Sequence, residues 1–355
     1  MGSRNAPPPI RLRKDWKNML ETSSSISLGF VGDVCLADNY TPVESLVEIG
    51  STDVADGVDQ RFIDLMHSMN LMWANNEFCY SDRGERLPDK LFVFRAKTSN
   101  VRYMRDLGVD IVGLANNHVF DYGEQAFIDT LETLERAGIS YVGAGRDIAA
   151  AQAPVYMQAN GLTIAYVAAS RAEKVMMTPE ATNDTPGILL CYDNSRFLAS
   201  IREAAAHADY VIALPHWGIE CSTDLEDVQV QGAHAYIDAG ADAVFGTHTH
   251  YLQGIEFYRG KPIVYSLGNF WFDGYKGLTV VAELQLPATS KLSGHVGTDA
   301  GDVRLVLHPG WQQMAFTKWI DEPSVRADAF RYIESISVNV NIDDQGIVRG
   351  RDSLS

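Results

Sequence analysis

Cysteine is scarce in this chain. Its 355 residues hold four, Cys35, Cys79, Cys191 and Cys221. None forms a C-x-x-C pair and none sits in a short cysteine-dense frame, so no disulfide framework is indicated and the four read as reduced thiols of a cytosolic protein. Basic residues are also short, with 29 Lys and Arg against 46 Asp and Glu and a formal net charge of −17. No basic field exists to attract a phosphate backbone, which excludes nucleic acid as the main partner. A local cationic or metal-bearing pocket stays compatible with such a surface.

Long apolar runs are missing too. No stretch approaches the ~18 consecutive apolar residues of a membrane span. The opening MGSRNAPPPIRLRKDWKNML has no apolar segment of the signal-peptide kind. The expected location is cytoplasmic as the chain stands, or membrane-associated or extracellular if a natural N-terminal segment has been replaced. No G-x-S-x-G elbow, P-loop or G-x-G-x-x-G fingerprint falls at a convincing position. Gly143-Ala144-Gly145 holds only the start of the last.

What is present is an ordinary globular mixture, 46% apolar and 21% charged, with enough apolar material for a sizeable core. Residues 1–24 are rich in Pro, Arg and Ser and read as a flexible segment with a short helix near Asp15–Leu20. Residues 25–355 are expected to form a single domain. Ile26–Val31 reads as a buried strand running into Gly32-Asp33. A helix is expected from Asp59, with Phe62, Ile63, Met66, Met69 and Met72 as its core stripe. Ser99–Leu107 reads as a short helix with a Ser N-cap, closed by Gly108. Val109–Ala115 reads as a strand and Glu124–Ala137 as an amphipathic helix ended by Gly138. Ser140–Val142 and Thr163–Ala169 are further strands, and Arg196–Ala206 and Asp227–Ala239 further helices. This alternation predicts a layered α/β fold. After Pro262 the texture changes to strands at Ile263–Leu267, Leu278–Leu286, Val303–His308 and Ile336–Val340 with little helix, suggesting a second sheet packed on the first. Pro287–Asp302 reads as an exposed loop, and Arg171–Thr185 as a long loop able to shape specificity.

Three apolar strands run straight into histidine: VDIVGLANNH (109–118), DYVIALPH (209–216) and ADAVFGTHTH (241–250). In open α/β sheets ligands bind beyond the carboxyl ends of such strands. Asp33, after Gly32, can stand over that rim, although a turn or helix-cap Asp is the alternative. Glu77, in Asn75-Asn76-Glu77, can bridge two cations. In Asn116-Asn117-His118 an amide oxygen can ligate a cation while the histidine reaches substrate. His216 ends a strand, and His248 and His250 can approach one cluster from a single loop. One Asp, one Glu, one Asn and four His are too many for one tetrahedral ion. Two ions sharing a carboxylate suit them better, with imidazole favouring Zn, Fe, Cu or Ni and the oxygens harder ions. Among lesser candidates, Arg95 and Lys97 can neutralise an anionic substrate. Glu220 can orient His216, Asp121 can orient His118, and Asn269 can contact substrate. His67, His207, His234, His295 and His308 read as fillers.

The segments GFVGDVCLADN, NNEF, LGVDIVGLANNHVFDYGEQAFIDTLETLERAGISYVGAG, VIALPHWGIE, YIDAGADAVFGTHTHYLQGIE and PIVYSLGNFWFD resemble, in order, those of the poly-γ-glutamate capsule-synthesis (CapA-like) family of the calcineurin-type metallophosphoesterases. The resemblance covers roughly residues 26–273. It implies two packed β-sheets flanked by helices in four layers, with a dinuclear metal site at one rim. It places Asp33, Glu77 and His250 on one ion; Glu77, Asn117, His216 and His248 on the other; and His118 facing substrate. Two departures stand out: Cys35 occupies the position of a histidine in the wider pattern, and Glu77 that of an aspartate. Both bear on metal count and ion preference.

The reading reached is a metal-dependent hydrolase with two divalent ions (Mn, Fe or Zn), acting on a phosphoester or a γ-glutamyl-type amide. Its expected partner is an anionic small molecule or polyglutamate-like substrate. One alternative is a non-catalytic metal-binding subunit of a poly-γ-glutamate synthesis or export complex. Another is an amide-bond-processing enzyme of small-molecule biosynthesis.

Overall fold

The computed structural model describes residues 25–351 apart from 39, 174–176, 275 and 289–302. The expected N-terminal segment 1–24 and most of the loop expected at Pro287–Asp302 lie outside the described residues. Strands β1 (Ser25–Val34), β2 (Leu71–Asn76), β3 (Ile111–Gly113) and β4 (Ser140–Val142) lie side by side and parallel. Six later strands build a separate sheet. They are β5 (Val155–Ala159), β6 (Leu162–Ser170), β7 (Tyr210–His216), β8 (Ala243–Phe245), β9 (Ile255–Tyr258) and β10 (Lys261–Val264). Their order is β9-β10-β8-β7-β6-β5, parallel at the centre with antiparallel edges. The chain then returns to the first sheet with β11 (Lys276–Pro287), β12 (Arg304–Gln313), β13 (Val340–Ile342) and β14 (Ile347–Gly350).

That return corrects the sequence expectation. Of the late strands only the one expected at Ile263–Leu267 joins the second sheet, as β10; the strands after it do not. β11 pairs antiparallel with β1, and β12 pairs with β11. The second sheet comes from the middle of the chain. Without β11, the outer side of β1 would be an unpaired row of backbone donors and acceptors, and a hydrophobic hairpin is well suited to covering it. A helix over Pro323–Ser335 also interrupts the late strands; it starts with Pro at its first position, where the missing N–H costs nothing.

The two-residue strand period explains the layering. Ile26, Leu28 and Phe30 of β1 pack with Ile164, Tyr166, Ile212, Leu214 and Phe245 between the two sheets. The Phe30 and Phe245 rings stack with centroids 3.9 Å apart. The alternate residues point outward. Val31, Met72, Ala74 and Val112 meet the helices Gln60–Ser68 and Gly123–Ala137 through Phe62, Met66, Phe127 and Leu131. Ala165, Val167, Val211 and Val244 meet Ser195–His207 and Asp227–Ala239 through Phe197, Ile201, Ala233 and Tyr236. The result is the expected α/β architecture of two packed sheets flanked by helices.

Local differences have identifiable causes. The helix capped by Asp59 ends at Ser68, so Met72 belongs to β2 and not to the helical stripe. Asn70 forces the change: its N–H donates to Ser27 O at 2.9 Å and its Oδ1 accepts from Ser27 N at 2.8 Å, drawing the chain into the sheet. Val101–Asp106 is helical after a 3-10 turn at Thr98–Asn100, without the expected serine cap. Gly138 closes Gly123–Ala137 with φ +72°, as a left-handed C-terminal glycine should.

Candidate metal centre

Gly32 opens the site. A Cβ there would stand 1.8 Å from Gly268 O, so glycine alone lets β1 close against the strand Asn269–Trp271. Asp33 N donates to Gly268 O at 2.8 Å, and the Asp33 carboxylate is left fully buried at the rim. Its Oδ1 accepts from Asn75 Nδ2 at 2.7 Å. The same amide reaches Glu77 Oε2 at 3.2 Å, so Asn75 sits between the two carboxylates. Asn116 backs it, donating to Asn75 Oδ1 at 3.3 Å and to Asn76 O at 2.9 Å.

The second sheet supplies the histidines. His216, the last residue of β7, holds Thr247 Oγ1 at 2.8 Å through Nδ1. Its Nε2 lies 2.8 Å from Asn117 Oδ1 and 3.8 Å from Glu77 Oε1. Beyond β8, His248 and His250 adopt left-handed backbone, φ +98° and +61°. Such strain in non-glycine residues persists only where surroundings over-determine it, and it clusters at functional sites. His250 Nδ1 lies 2.9 Å from Asn269 Oδ1 and 3.4 Å from Asp33 Oδ2.

Two sets therefore meet at one carboxylate: Glu77, His216 and His248, and Asp33, Glu77 and His250, each with donor atoms within 4.8 Å of one another. The donor chemistry fits divalent ions. Glu77 Oε1 and His248 Nδ1 are buried without a hydrogen-bond partner among the described residues, an arrangement that is costly unless a cation satisfies it. Burial, then the negative charge of Asp33, pushes the Glu77 carboxyl well above its ordinary range. Burial, then the neighbouring His248 and His250, holds His216 well below. Burial, then His250, takes His248 down to about 3. Both imidazoles are thus in the neutral, metal-ligating form at pH 7. In His250 burial works the same way, but hydrogen bonding and charge from Asp33, with the Asn269 contact, leave it above its ordinary value.

His118 lies beside the centre. Its Nδ1 is 2.7 Å from Asp121 Oδ2, which also accepts from Phe94 N at 2.7 Å. Lys90 Nζ is 2.7 Å from Asp121 Oδ1 and 3.2 Å from Glu173 Oε1, and it donates to Asn117 O. A cavity of about 670 Å³ opens here, lined by His118, Asn117 and His248 together with Lys90, Arg171 and Glu220.

Some expected residues stand elsewhere. Arg95 lies over the Tyr122 ring at 4.2 Å and bonds the carbonyls of Arg83 and Gly84; Lys97 is exposed. Neither lines the cavity. The cations that do line it, Lys90 and Arg171, belong to loops with no periodicity to mark them. Asn269 is buried against His250 and does not line the cavity. Glu220 makes no hydrogen bond to His216 among the described residues; Thr247 takes that place. Cys35 is buried with Val34 and Leu36 in the core and joins neither set.

Residues 27–274 match the family of bacterial capsule synthesis protein PGA_cap. The PGA biosynthesis protein CapA of Bacillus subtilis (strain 168) is 35% identical over 251 residues, 70% of this chain and 63% of that protein. The capsule biosynthesis protein CapA of Bacillus anthracis is 35% identical over 189 residues, 52% of this chain and 45% of that protein. The chain thus matches less than two thirds of either relative's length. A solved structure of a phosphatase from Mycoplasma pneumoniae covers 87% of this chain and 99% of its own, with a TM-score of 0.48 and 12% identity. The family match spans every residue of the two sets that meet at Glu77, and this chain belongs to the bacterial capsule synthesis protein (PGA_cap) family.

Proposed function

We propose that the chain is a metal-dependent hydrolase acting on a phosphoester or a γ-glutamyl-type amide. The observation that carries this reading is Glu77, a buried carboxylate shared by two sets of donors beside a histidine–aspartate pair at a cavity. Asp33, Glu77 and His250 would hold one ion, and Glu77, Asn117, His216 and His248 a second. Mixed imidazole and oxygen donors suit Mn, Fe or Zn. Divalent ions at such a centre lower the pKa of water and neutralise charge on the attacked group. With Nδ1 of His118 engaged by Asp121, Nε2 is the atom left to give a proton to, or hydrogen-bond, the leaving group. The Lys90 ammonium balances the buried Asp121 charge and ties it to the cavity wall through Glu173.

The names of the relatives, a PGA biosynthesis and a capsule biosynthesis protein, favour a second reading: a non-catalytic metal-binding subunit of a poly-γ-glutamate synthesis or export complex. Elemental analysis of the purified protein beside an Asp33→Ala/His248→Ala variant, with a panel of phosphoesters and γ-glutamyl amides, separates the two. About two ions per chain, absent from the variant and accompanied by turnover, support the hydrolase. Ions without turnover of either substrate class favour the subunit. No ion after reloading with Mn, Fe or Zn defeats both.

A further inference from the structure

The cavity beside the centre holds charges of both signs, and most are engaged within the protein. Lys90 is paired with Asp121 and Glu173. Glu173 Oε2 also accepts from Met177 N and Thr178 N. Glu226 caps the helix Asp227–Ala239. Two lining side chains, one of each sign, have no ion-pair partner among the described residues. Arg171 has no carboxylate in ion-pair range among the described residues, although the chain carries 46 acidic residues against 29 basic. Glu220, exposed at the cavity wall, makes no hydrogen bond or ion pair among the described residues.

Arg171 is built into the rim. It follows Ser170, the last residue of β6, which is in register with His216 of β7. Its backbone N donates to His216 O at 2.8 Å, so the residue starts one peptide from a candidate ligand. Its guanidinium lies over the Tyr192 ring at 5.0 Å, and the Tyr192 hydroxyl donates to Glu173 O. One guanidinium N–H, on Nη1, donates to Tyr192 O at 3.4 Å; a guanidinium held this way on an aromatic face is pre-organised, and its remaining N–H groups can take a planar anion. Glu220 comes from the turn after β7, four residues beyond His216, and reaches the same cavity.

We infer that Arg171 and Glu220 form a recognition site for an α-amino-acid head, Arg171 taking the carboxylate and Glu220 the ammonium. One guanidinium and one unpaired carboxylate lining the same cavity suit a zwitterion better than a dianion, which Glu220 and Glu173 would repel. A γ-glutamyl amide carries such a head at the end remote from its scissile bond, so the inference narrows the proposed substrate class. It rests on the hydrolase reading for its place in a reaction, but not for binding itself.

Calorimetric titration of the full chain tests it, with glutamate (each enantiomer), glutarate and 4-aminobutyrate as probes. The proteins are wild type, Arg171→Gln, Arg171→Lys and Glu220→Gln, with thermal midpoint and metal content measured on each. One enantiomer of glutamate should bind wild type more tightly than glutarate or 4-aminobutyrate. Arg171→Gln should weaken it roughly 10- to 100-fold, and Arg171→Lys should recover only part of the loss because the fork is gone. Glu220→Gln should weaken glutamate while leaving glutarate unchanged or tighter. Glutamate and glutarate binding wild type alike, no glutamate binding, or variants binding like wild type would overturn the site. Repeating the titration in Asp33→Ala/His248→Ala separates it from the centre. Arg171-dependent binding that persists there, when metal-loaded wild type hydrolyses none of the panel, keeps the site and removes the hydrolase. Hydrolysis indifferent to Arg171 and Glu220 does the reverse.

Discussion

Glu77 Oε1 lies 3.8 Å from His216 Nε2, at the point where the two sheets face each other across the rim. Glu77 enters from the first sheet and His216 from the second, so a group held by both ties the sheets together. Asp33, Glu77 and His250 repeat the arrangement on the other side. Glu77 is the residue common to both sets, which distinguishes its removal from that of any other donor.

Glu77→Gln keeps the volume and removes the charge. It should lower the bound metal at both positions, whereas His250→Ala should lower it at one. Elemental analysis after reloading with Mn checks this. Equal stoichiometry in the two variants would show that Glu77 is not shared.

His118→Asn should leave metal content near that of wild type and cut turnover of the best substrate by roughly 10²- to 10⁴-fold. Asp121→Asn should cost less, because it removes the partner that orients Nδ1 and not the ring itself. Single-turnover kinetics on metal-matched samples reads both. An unchanged rate for His118→Asn would remove it from the proposed chemistry.

Gly32→Ala should destabilise the protein by ~3 kcal/mol and lower its metal content together. The added Cβ would meet Gly268 O at 1.8 Å and the Leu267 O at 2.9 Å, both backbone atoms that have no rotamer to move. Because Asp33 is the next residue, the strand cannot shift without carrying its carboxylate away. Urea unfolding and elemental analysis on one preparation check the pair of effects. Loss of stability with full metal content would separate the close approach from the site.

Much of this geometry is legible in the chain, for a physical reason. Strands buried on both faces read as continuous apolar runs, so the points where β1, β7 and β8 stop are visible as Asp33, His216 and the His248–His250 turn. Helices such as Gly123–Ala137 announce themselves by their stripe and closing glycine. Less visible is which strand pairs with which. β11 and β12 show the right texture, but nothing in it tells that β11 lies against β1, with Ser27 in register with Gln285, so far apart in sequence that only tertiary packing decides. Asn70, one polar residue, moves Met72 from a helix to a strand. Lys90 and Arg171 lie in loops that bring charge to the cavity through tertiary contacts, with no local pattern, whereas Arg95 and Lys97 look equally cationic in sequence and point elsewhere.

The pairing of β11 with β1 carries its own electrostatic signature. Glu283 of β11 accepts from Ser27 Oγ of β1 at 2.7 Å, from Gln285 Nε2 at 2.9 Å, and meets His308 Nε2 of β12 at 3.0 Å. Burial alone would raise its pKa. The His308, Gln285 and Ser27 hydrogen bonds outweigh burial and hold the carboxyl down to about 2. A carboxyl depressed in the folded state binds fewer protons than in the unfolded chain, where its pKa is roughly 4.3. Its stabilising contribution is therefore complete above that value and is lost as pH falls toward 2. Glu283→Gln removes the charge at every pH. The variant should unfold at lower urea than wild type at pH 7, and the gap between their midpoints should narrow as the pH is taken from 6 to 3. Midpoints that stay equally far apart over that range would mean that the ionised carboxylate is not what joins these three strands.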